Sequence, residues 1–423
     1  MKNKYKGLML ILDGLGDGGI DSFQGRTPLE AAETPNLDAL ITKGMGAMMD
    51  PLYPGVPVGT HTGTGVLFGI PPTEAAALTR GPIEAAGIGL DTSLGDILIR
   101  CNFATLQEEG DWFRIIDRRA GRIDKETHEL TRSLVNVDLG EGISATLTPA
   151  TQHRAVLKLS GEDLSAAISD TDPGSGFQDR GAIRAAPQEP GGAAARTAHA
   201  LNRFMYLAYS HLNEHPVNRQ RQSAGLLPAN GILCRSAGYN LQPFSLIKRL
   251  GLRGSVVAGE STVIGLAKLL KFNTITDPRF TSLPDTDLSA KVAAAEQALE
   301  SDNIVFLHLK APDICAHDRN PQEKRAFIEA VDSAIAPLIR NDLVFAVTGD
   351  HSTSSTSGDH TGDPVPSLLY APMGRRDLCD RFGEAYCATG GLGRVSATGF
   401  LCAMLDAMGY MHKYKPGEAR LFT

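Results

Sequence analysis

The 423-residue sequence has no block of basic residues and no arginine or lysine stripe interleaved with aromatics. Its 41 Lys+Arg stand against 48 Asp+Glu, a formal charge of −7. The electrostatic footprint of a nucleic-acid binder is missing, so no nucleic-acid partner is expected. Nor does any apolar run approach the roughly 18 residues of a membrane span. The longest early one, Leu8–Leu12, is too short for the core of a secretory leader and ends at Asp13. A cytoplasmic chain without a membrane partner is expected. The six cysteines (Cys101, Cys234, Cys315, Cys379, Cys387, Cys402) show no C-x-x-C spacing, which removes a disulfide framework and a thiolate zinc site. No repeat of fixed period is visible, which disfavours solenoids and propellers. What is present is ordinary for a globular protein: 42% hydrophobic and 21% charged residues, in a length that suggests two to three domain-sized units.

Several short runs of branched apolar residues are continuous, as in strands buried on both faces of a parallel sheet: Gly7–Leu12, Ser255–Ala258, Asn303–Leu309 and Leu343–Thr348. Helix-like spacing lies between and around them, at Thr34–Lys43, Thr197–Leu212, Val263–Lys271, Ser289–Glu300, Glu323–Ile339 and Val395–Met408. The alternation predicts an α/β fold, a mainly parallel sheet with helices on both faces. From about Ile97 the texture changes to short alternating stretches such as Ala145–Leu147 and Arg154–Leu159, which predicts a smaller inserted α+β domain. The Pro-, Gly- and charge-rich segment Ser169–Arg196 reads as a long loop or hinge back to the main domain. The expected division is a discontinuous core domain, 1–96 with 190–423, and an inserted substrate or lid domain, 97–189.

Acids stand at the ends of the buried strands. LMLILDG places Asp13 after the first, IVFLHLKAPDICAH places Asp313 and His317 after another, and LVFAVTGDH places Asp350 and His351 after a third. Ligands of open parallel sheets bind outside the carboxyl ends of the strands, so these groups are expected on one rim. Any one of them alone reads as a cap or turn residue. Together, clustered carboxylates call for a cation, and imidazole with carboxylate is a ligand set for zinc or manganese. His360, in GDHTGDPVP, adds a third imidazole, and a two-metal site is the reading that follows.

Gly14, Gly16 and Gly19 satisfy the dinucleotide pattern G-x-G-x-x-G directly after a strand. That pattern needs a helix N-terminus for the pyrophosphate, whereas Ile20–Pro28 does not read as a helix opening, and Asp13 would repel phosphate without a metal. The hydroxyl candidate is Thr60, framed by glycines in GTHTGTG. Such a hydroxyl fits a helix N-terminus that favours an alkoxide or phosphoryl oxygens; the plainer reading is an N-cap threonine without chemistry. His61 reads as a ligand, a base or a surface residue.

At this point the chain resembles the archaeal-type, cofactor-independent phosphoglycerate mutases, a branch of the alkaline phosphatase superfamily. The resemblance is carried nearly end to end by LILDGLGD (10–17), GRTPLEAAETPNLDAL (25–40), RGPIEAAGIGLD (80–91), DRRAGRI (117–123), HRAVLKL (153–159), SDTDP (169–173), PANGILCRSAG (228–238), HLKAPDICAHD (308–318) and GDHSTSSTSGDHTGDPVP (349–366). It implies an alkaline-phosphatase-like core and two divalent metal ions, manganese or zinc first, magnesium or cobalt after them, with no nucleotide cofactor. Asp313, His317 and His360 are similar to the ligands of one metal; Asp13, Asp350, His351 and the Thr60 oxygen to those of the other. Thr60 stands where the family has a serine that is transiently phosphorylated. Lys310, Arg235, Arg154, Arg118 and Arg122 occupy motif positions suited to holding phosphate and carboxylate, with His61 beside the nucleophile. The implied activity is a phosphomutase acting on a small phosphorylated carboxylic acid, 2-/3-phosphoglycerate or a close analogue, with the inserted domain as a lid. No particular oligomeric state is implied.

One departure stands out. The family typically reads Gly-Ser-Asp-x-x-His at the nucleophile, and here the run is Gly59-Thr60-His61-Thr62-Gly63-Thr64. Threonine keeps the hydroxyl, but the lost acid and the Thr64 exchange lie beside the reacting group. They open the alternative of a metal-dependent phosphatase, or a phosphotransferase acting on a phosphonate or other phosphorylated analogue. The net charge of −7 does not oppose an anionic substrate, because two divalent cations would more than cancel the rim acids.

Overall fold

The computed structural model describes residues 4–150, 152–174, 181–240 and 242–413. In chain order its strands are β1 (Lys6–Leu12), β2 (Met45–Asp50), β3 (Ile97–Glu109), β4 (Trp112–Asp117), β5 (Val137–Asp138), β6 (Ser144–Pro149), β7 (Arg154–Ser160), β8 (Gly231–Tyr239), β9 (Gly254–Val257), β10 (Asn273–Ile275), β11 (Ile304–Leu309), β12 (Leu343–Thr348), β13 (Ser352–Thr353), β14 (His360–Thr361), β15 (Val365–Tyr370) and β16 (Gly393–Ser396). They fall into two compact units, Met1–Ala77 with Pro243–Thr423, and Leu78–Gln242.

The first unit is built on a sheet of order β10-β9-β11-β1-β12-β15-β2-β16, parallel except where β15 runs against β12 and β2. The fold is α/β, as the alternation of apolar runs and helical spacing predicts. β11 and β12 are buried along their whole length and β1 from Gly7 on, which is why these runs are apolar without alternation. Helices pack in two groups. The Thr60–Leu67 helix meets Ser261–Leu269 and Ala397–Ala407, while Pro321–Ala334 meets Pro35–Ile41 and Leu288–Ser301.

The helix expected over Glu323–Ile339 ends at Ala334, and Ala336–Leu338 continues as a 3-10 turn. Pro337 explains the break: it has no N–H to extend the ladder. Val395 belongs to β16 rather than to the following helix, whose N-cap is Ser396, its side chain accepting from the Gly399 N–H.

The second unit is a mostly antiparallel sheet of order β4-β3-β7-β6-β5 with β8 also on β3. Against it packs the Gly192–Asn213 helix, whose Ala198, Leu201, Phe204 and Ala208 join Ile99, Phe103 and Leu157 in one core. This unit is wider than 97–189 at both ends. The Arg80–Gly87 helix packs on β3 and β8, and the long helix and β8 supply core that the unit could not lack. Part of the Ser169–Arg196 loop, 175–180, lies outside the described residues; its last residues already belong to the long helix.

Candidate active site

The carboxyl ends of β1, β11 and β12 are adjacent in the sheet, and register carries the rim residues to one level. Ile11 lies opposite both His308 and Thr348, so Asp13, Lys310 and Asp350 follow from three neighbouring strand ends. Asp13, Asp313, Asp350 and His351 are all buried. The Thr60–Leu67 helix closes on them tightly: a Cβ at Gly63 would fall 1.8 Å from the Asp350 carbonyl oxygen. Only glycine admits that approach.

Thr60 is not the N-cap. Gly59 holds that position and makes no side-chain cap, while Thr60 opens the helix proper. Its hydroxyl is therefore released from capping and faces the rim. Lys310 Nζ donates to Thr60 Oγ1 at 2.9 Å, and His351 Nε2 lies 3.4 Å from the same oxygen. The Lys310 ammonium also reaches Asp13 Oδ1 at 3.0 Å and Asp313 Oδ2 at 2.7 Å. One cation thus ties the hydroxyl to two of the three acids.

The remaining groups assemble around Asp313 and Asp13. His317 Nε2 and His360 Nε2 each lie 3.3 Å from an Asp313 oxygen, and the two nitrogens are 3.2 Å apart. The outer nitrogens are held by carbonyls, His317 Nδ1 by Gly358 and His360 Nδ1 by Val58, both at 2.7 Å. Both Nε2 atoms are therefore aimed inward. His351 Nε2 lies 3.2 Å from Asp13 Oδ1 and 3.8 Å from Asp350 Oδ1. Two overlapping groups of donor atoms are close enough to hold an ion: Asp13, Asp350 and His351, and Asp313, His351 and His360.

Electrostatics give the same picture. Burial works against charge on Lys310, yet Asp13, Asp313 and Asp350 raise its pKa above the ordinary lysine value. Burial likewise opposes ionisation of Asp13 and Asp313, but Lys310 and the neighbouring histidines hold both carboxyls well below the usual range. Asp350 goes the other way, raised by burial and by the Asp13 charge. His351, against its burial, is pushed up to about 9 by Asp350 and Asp13. Three buried carboxylates crowd around the Lys310 ammonium and the raised His351 imidazole, and oxygen and imidazole donors of this kind fit divalent cations.

Of the residues predicted from sequence, Asp13, Thr60, Lys310, Asp313, His317, Asp350, His351 and His360 converge here. His61 follows Thr60 in the first helical turn and is partly exposed. Arg118, Arg122, Arg154 and Arg235 belong to the second unit. There Arg118 is engaged bidentately by Asp172, both bonds 2.7 Å, and Arg235 lies 3.8 Å from Asp170 and 3.9 Å from Asp172. Arg100 and Arg235 are directly opposite across β3 and β8, and Arg100 pairs with buried Glu84 at 2.8 Å. Burial, with Arg80, Arg154 and Arg235 nearby, lowers Arg100 to about 10 even beside Glu84. His153, on the same unit, is pushed down to about 4 by burial and by Arg154, Arg119, Arg100 and Arg122.

Three contributors at the rim escape a reading of strand ends. Thr64 Oγ1 donates to Asp350 Oδ2 at 2.9 Å; its spacing of four from Thr60, one helical turn, is the signal. Thr353 Oγ1 lies 2.7 Å from Asp313 Oδ1, and His308 Nε2 lies 3.1 Å from Asp13 Oδ2. Nothing in the sequence marks these two apart from the apolar and polar runs that contain them.

A hydroxyl released at a helix start, among two groups of carboxylate and imidazole donors on the rim of a mainly parallel sheet, defines an α/β protein of the phosphoryl-transfer, metal-site class. A family model described as 2,3-bisphosphoglycerate-independent phosphoglycerate mutase matches residues 42–218. The chain is 38% identical to the mutase of that name from Methanopyrus kandleri, over 96% of this chain and 97% of its relative. It is 39% identical to the corresponding mutase 1 of Archaeoglobus fulgidus, over 96% and 99%. Among solved structures, the cofactor-independent phosphoglycerate mutase of Thermoplasma acidophilum matches with TM-score 0.69 at 32% identity, covering 96% of this chain and 100% of that one. A Pyrococcus horikoshii protein matches with TM-score 0.81 at 31% identity, covering 98% and 100%. The chain belongs to the 2,3-bisphosphoglycerate-independent phosphoglycerate mutase family.

Proposed function

We propose that this chain is a metal-dependent phosphomutase that interconverts 3- and 2-phosphoglycerate, with Thr60 Oγ1 as the transient acceptor of the phosphoryl group. The observation that carries the reading is the Thr60 hydroxyl itself, freed from capping and bonded to Lys310 at 2.9 Å between the two donor groups. Asp313, His317 and His360 would hold one divalent ion, and Asp13, Asp350, His351 and Thr60 the other. Bound there, such ions would lower the hydroxyl pKa and neutralise phosphoryl oxygens.

The chain's own residues supply the rest. Lys310 donates to Thr60 Oγ1 and so stabilises alkoxide character on the attacking oxygen. The P–O bond to Thr60 forms as the substrate's P–O bond breaks, and the freed substrate oxygen takes up the proton that Thr60 gave. After the substrate turns so that its other hydroxyl faces the phosphorylated Thr60, that hydroxyl loses its proton and attacks the phosphorus, the P–O bond to Thr60 breaks, and Thr60 Oγ1 regains a proton. Thr64 holds Asp350 in place, and the carbonyls of Gly358 and Val58 fix the rings of His317 and His360. Arg154, Arg122 and Arg235 are assigned to the substrate's anionic groups; Arg118, already forked onto Asp172, contributes through the atoms that this pair leaves over. All six cysteines are free thiols, which agrees with a cytoplasmic protein, and no helix among the described residues is long and apolar enough to cross a membrane.

The test is turnover of 3-phosphoglycerate by metal-loaded protein, following 2-phosphoglycerate and free phosphate together. Isomer without phosphate is expected; rapid phosphate release without isomer contradicts the mutase and leaves a phosphatase.

A further inference from the structure

We infer that Thr353 is a positioning residue that couples the two donor groups, fixing through one hydroxyl both the hydrogen on His351 and the orientation of Asp313. The inference rests on reading those groups as metal ligands.

Thr353 is fully buried, and its Oγ1 lies 2.7 Å from Asp313 Oδ1 and 3.0 Å from His351 Nδ1. A carboxylate only accepts, so the hydroxyl must donate to Asp313. That uses its single hydrogen. Toward His351 the oxygen therefore accepts, and Nδ1 carries the hydrogen. A metal-bound imidazole keeps one ring hydrogen, and Thr353 holds it at Nδ1. The lone pair is thereby left on Nε2, the nitrogen that faces Asp13 Oδ1 at 3.2 Å and Thr60 Oγ1 at 3.4 Å. The same hydroxyl takes one lone pair of Asp313 Oδ1 and leaves Oδ2 directed at Lys310 and His317.

The surroundings hold this hydroxyl in one place. The Thr353 N–H donates to the Gly16 carbonyl at 2.9 Å, and Lys324 Nζ donates to the Thr353 carbonyl at 3.0 Å. Lys324 is itself buried and paired with Asp17 at 2.9 Å. Across the β13–β14 pair Thr353 lies opposite His360, so its backbone also registers a third donor residue. Gly14 closes over the bridge with φ +65°; a Cβ there would fall 2.7 Å from Thr353 Oγ1 and 2.9 Å from Asp313 Oδ1. The loop after β1 is thus shaped to leave room for the hydroxyl and nothing more.

Partners that orient metal ligands typically contribute about 10- to 100-fold in metal affinity. The experiment is Mn2+ titration by calorimetry of the full-length protein stripped of metal, comparing wild type, Thr353→Val and Thr353→Ser. Valine keeps the shape and removes the hydroxyl. About 10- to 100-fold weaker Mn2+ binding is expected for Thr353→Val, with Thr353→Ser close to wild type. Equal affinity in wild type and Thr353→Val, or equal loss in both variants, overturns the inference; the second outcome would show that the hydroxyl, which serine keeps, is not what sets the affinity. Wild-type protein that binds no Mn2+ overturns the metal reading and the inference with it. If the valine variant does not fold, the 15N signals of His351 in wild-type protein loaded with Zn2+ decide: hydrogen on Nδ1 is expected, and hydrogen on Nε2 is the contrary result.

Discussion

Two histidines mark the contrast between the units. His351, among Asp13, Asp350 and Asp313 at the rim of the large sheet, is pushed up to about 9. His153, among Arg154, Arg119, Arg100 and Arg122 in the second unit, is pushed down to about 4. The same side chain is driven in opposite directions because one unit gathers buried acids and the other gathers arginines. A net charge of −7 conceals this. One unit concentrates buried acidic groups and the other concentrates arginines, so the local fields of the two are of opposite sign.

The contrast is broken most severely at its chemical centre. Thr60→Ala should lower kcat by at least about a thousandfold while leaving the fold intact, because the acceptor oxygen is gone but the helix keeps its Gly59 cap. Thr60→Ser should keep substantial turnover. Steady-state kinetics with circular dichroism on each variant checks this. Next in size, Asp313→Asn should weaken metal uptake and lower kcat/KM by more than about a hundredfold, since it removes one of three carboxylates around Lys310. Metal analysis after dialysis reads the first effect directly.

On the basic side, Glu84→Gln leaves the Arg100 guanidinium buried among other arginines without its charge partner. A loss of about 3 kcal/mol in unfolding free energy is expected, measured by urea denaturation. A pH dependence sharpens the contrast by its sign. In chelator-treated protein, the raised His351 contributes stability that is present below about pH 6.5 and is lost as pH rises toward 9. The depressed His153 does the reverse: its contribution is complete above about pH 6.5 and is lost as pH falls toward 4. Each limb has a limiting slope of about 1.4 kcal/mol per pH unit. Thermal melts across this range should show His153→Gln flattening the acid limb only; flattening of both limbs would remove the distinction between the units.

Much of this was legible in the sequence where chemistry and chain geometry coincide. Strands buried on both faces read as unbroken apolar runs, and acids at their carboxyl ends announced the rim, so Asp13, Asp313, Asp350 and His351 were found without coordinates. β2 and β15 were not anticipated, since Met45–Asp50 carries no branched residue and Val365–Tyr370 contains Pro366, an unusual residue inside a sheet. The role of Thr60 was half legible: the glycines pointed to a helix start, but only the structure moves the cap to Gly59. Thr353 and His308 were invisible for a different reason. Their importance lies in what they touch: Thr353 reaches Asp313, 40 residues away, and its near neighbour His351, while His308 reaches Asp13 from a different strand, and no spacing rule in the sequence marks these contacts.

The central claim is that Thr60 carries the phosphoryl group. It is tested most directly by acid-quenching metal-loaded protein during turnover of 3-phosphoglycerate and mapping the phosphorylated peptide by mass spectrometry. The account predicts phosphate on Thr60, formed as fast as 2-phosphoglycerate appears. Isomer produced with no phosphate on Thr60 at any quench time would contradict it.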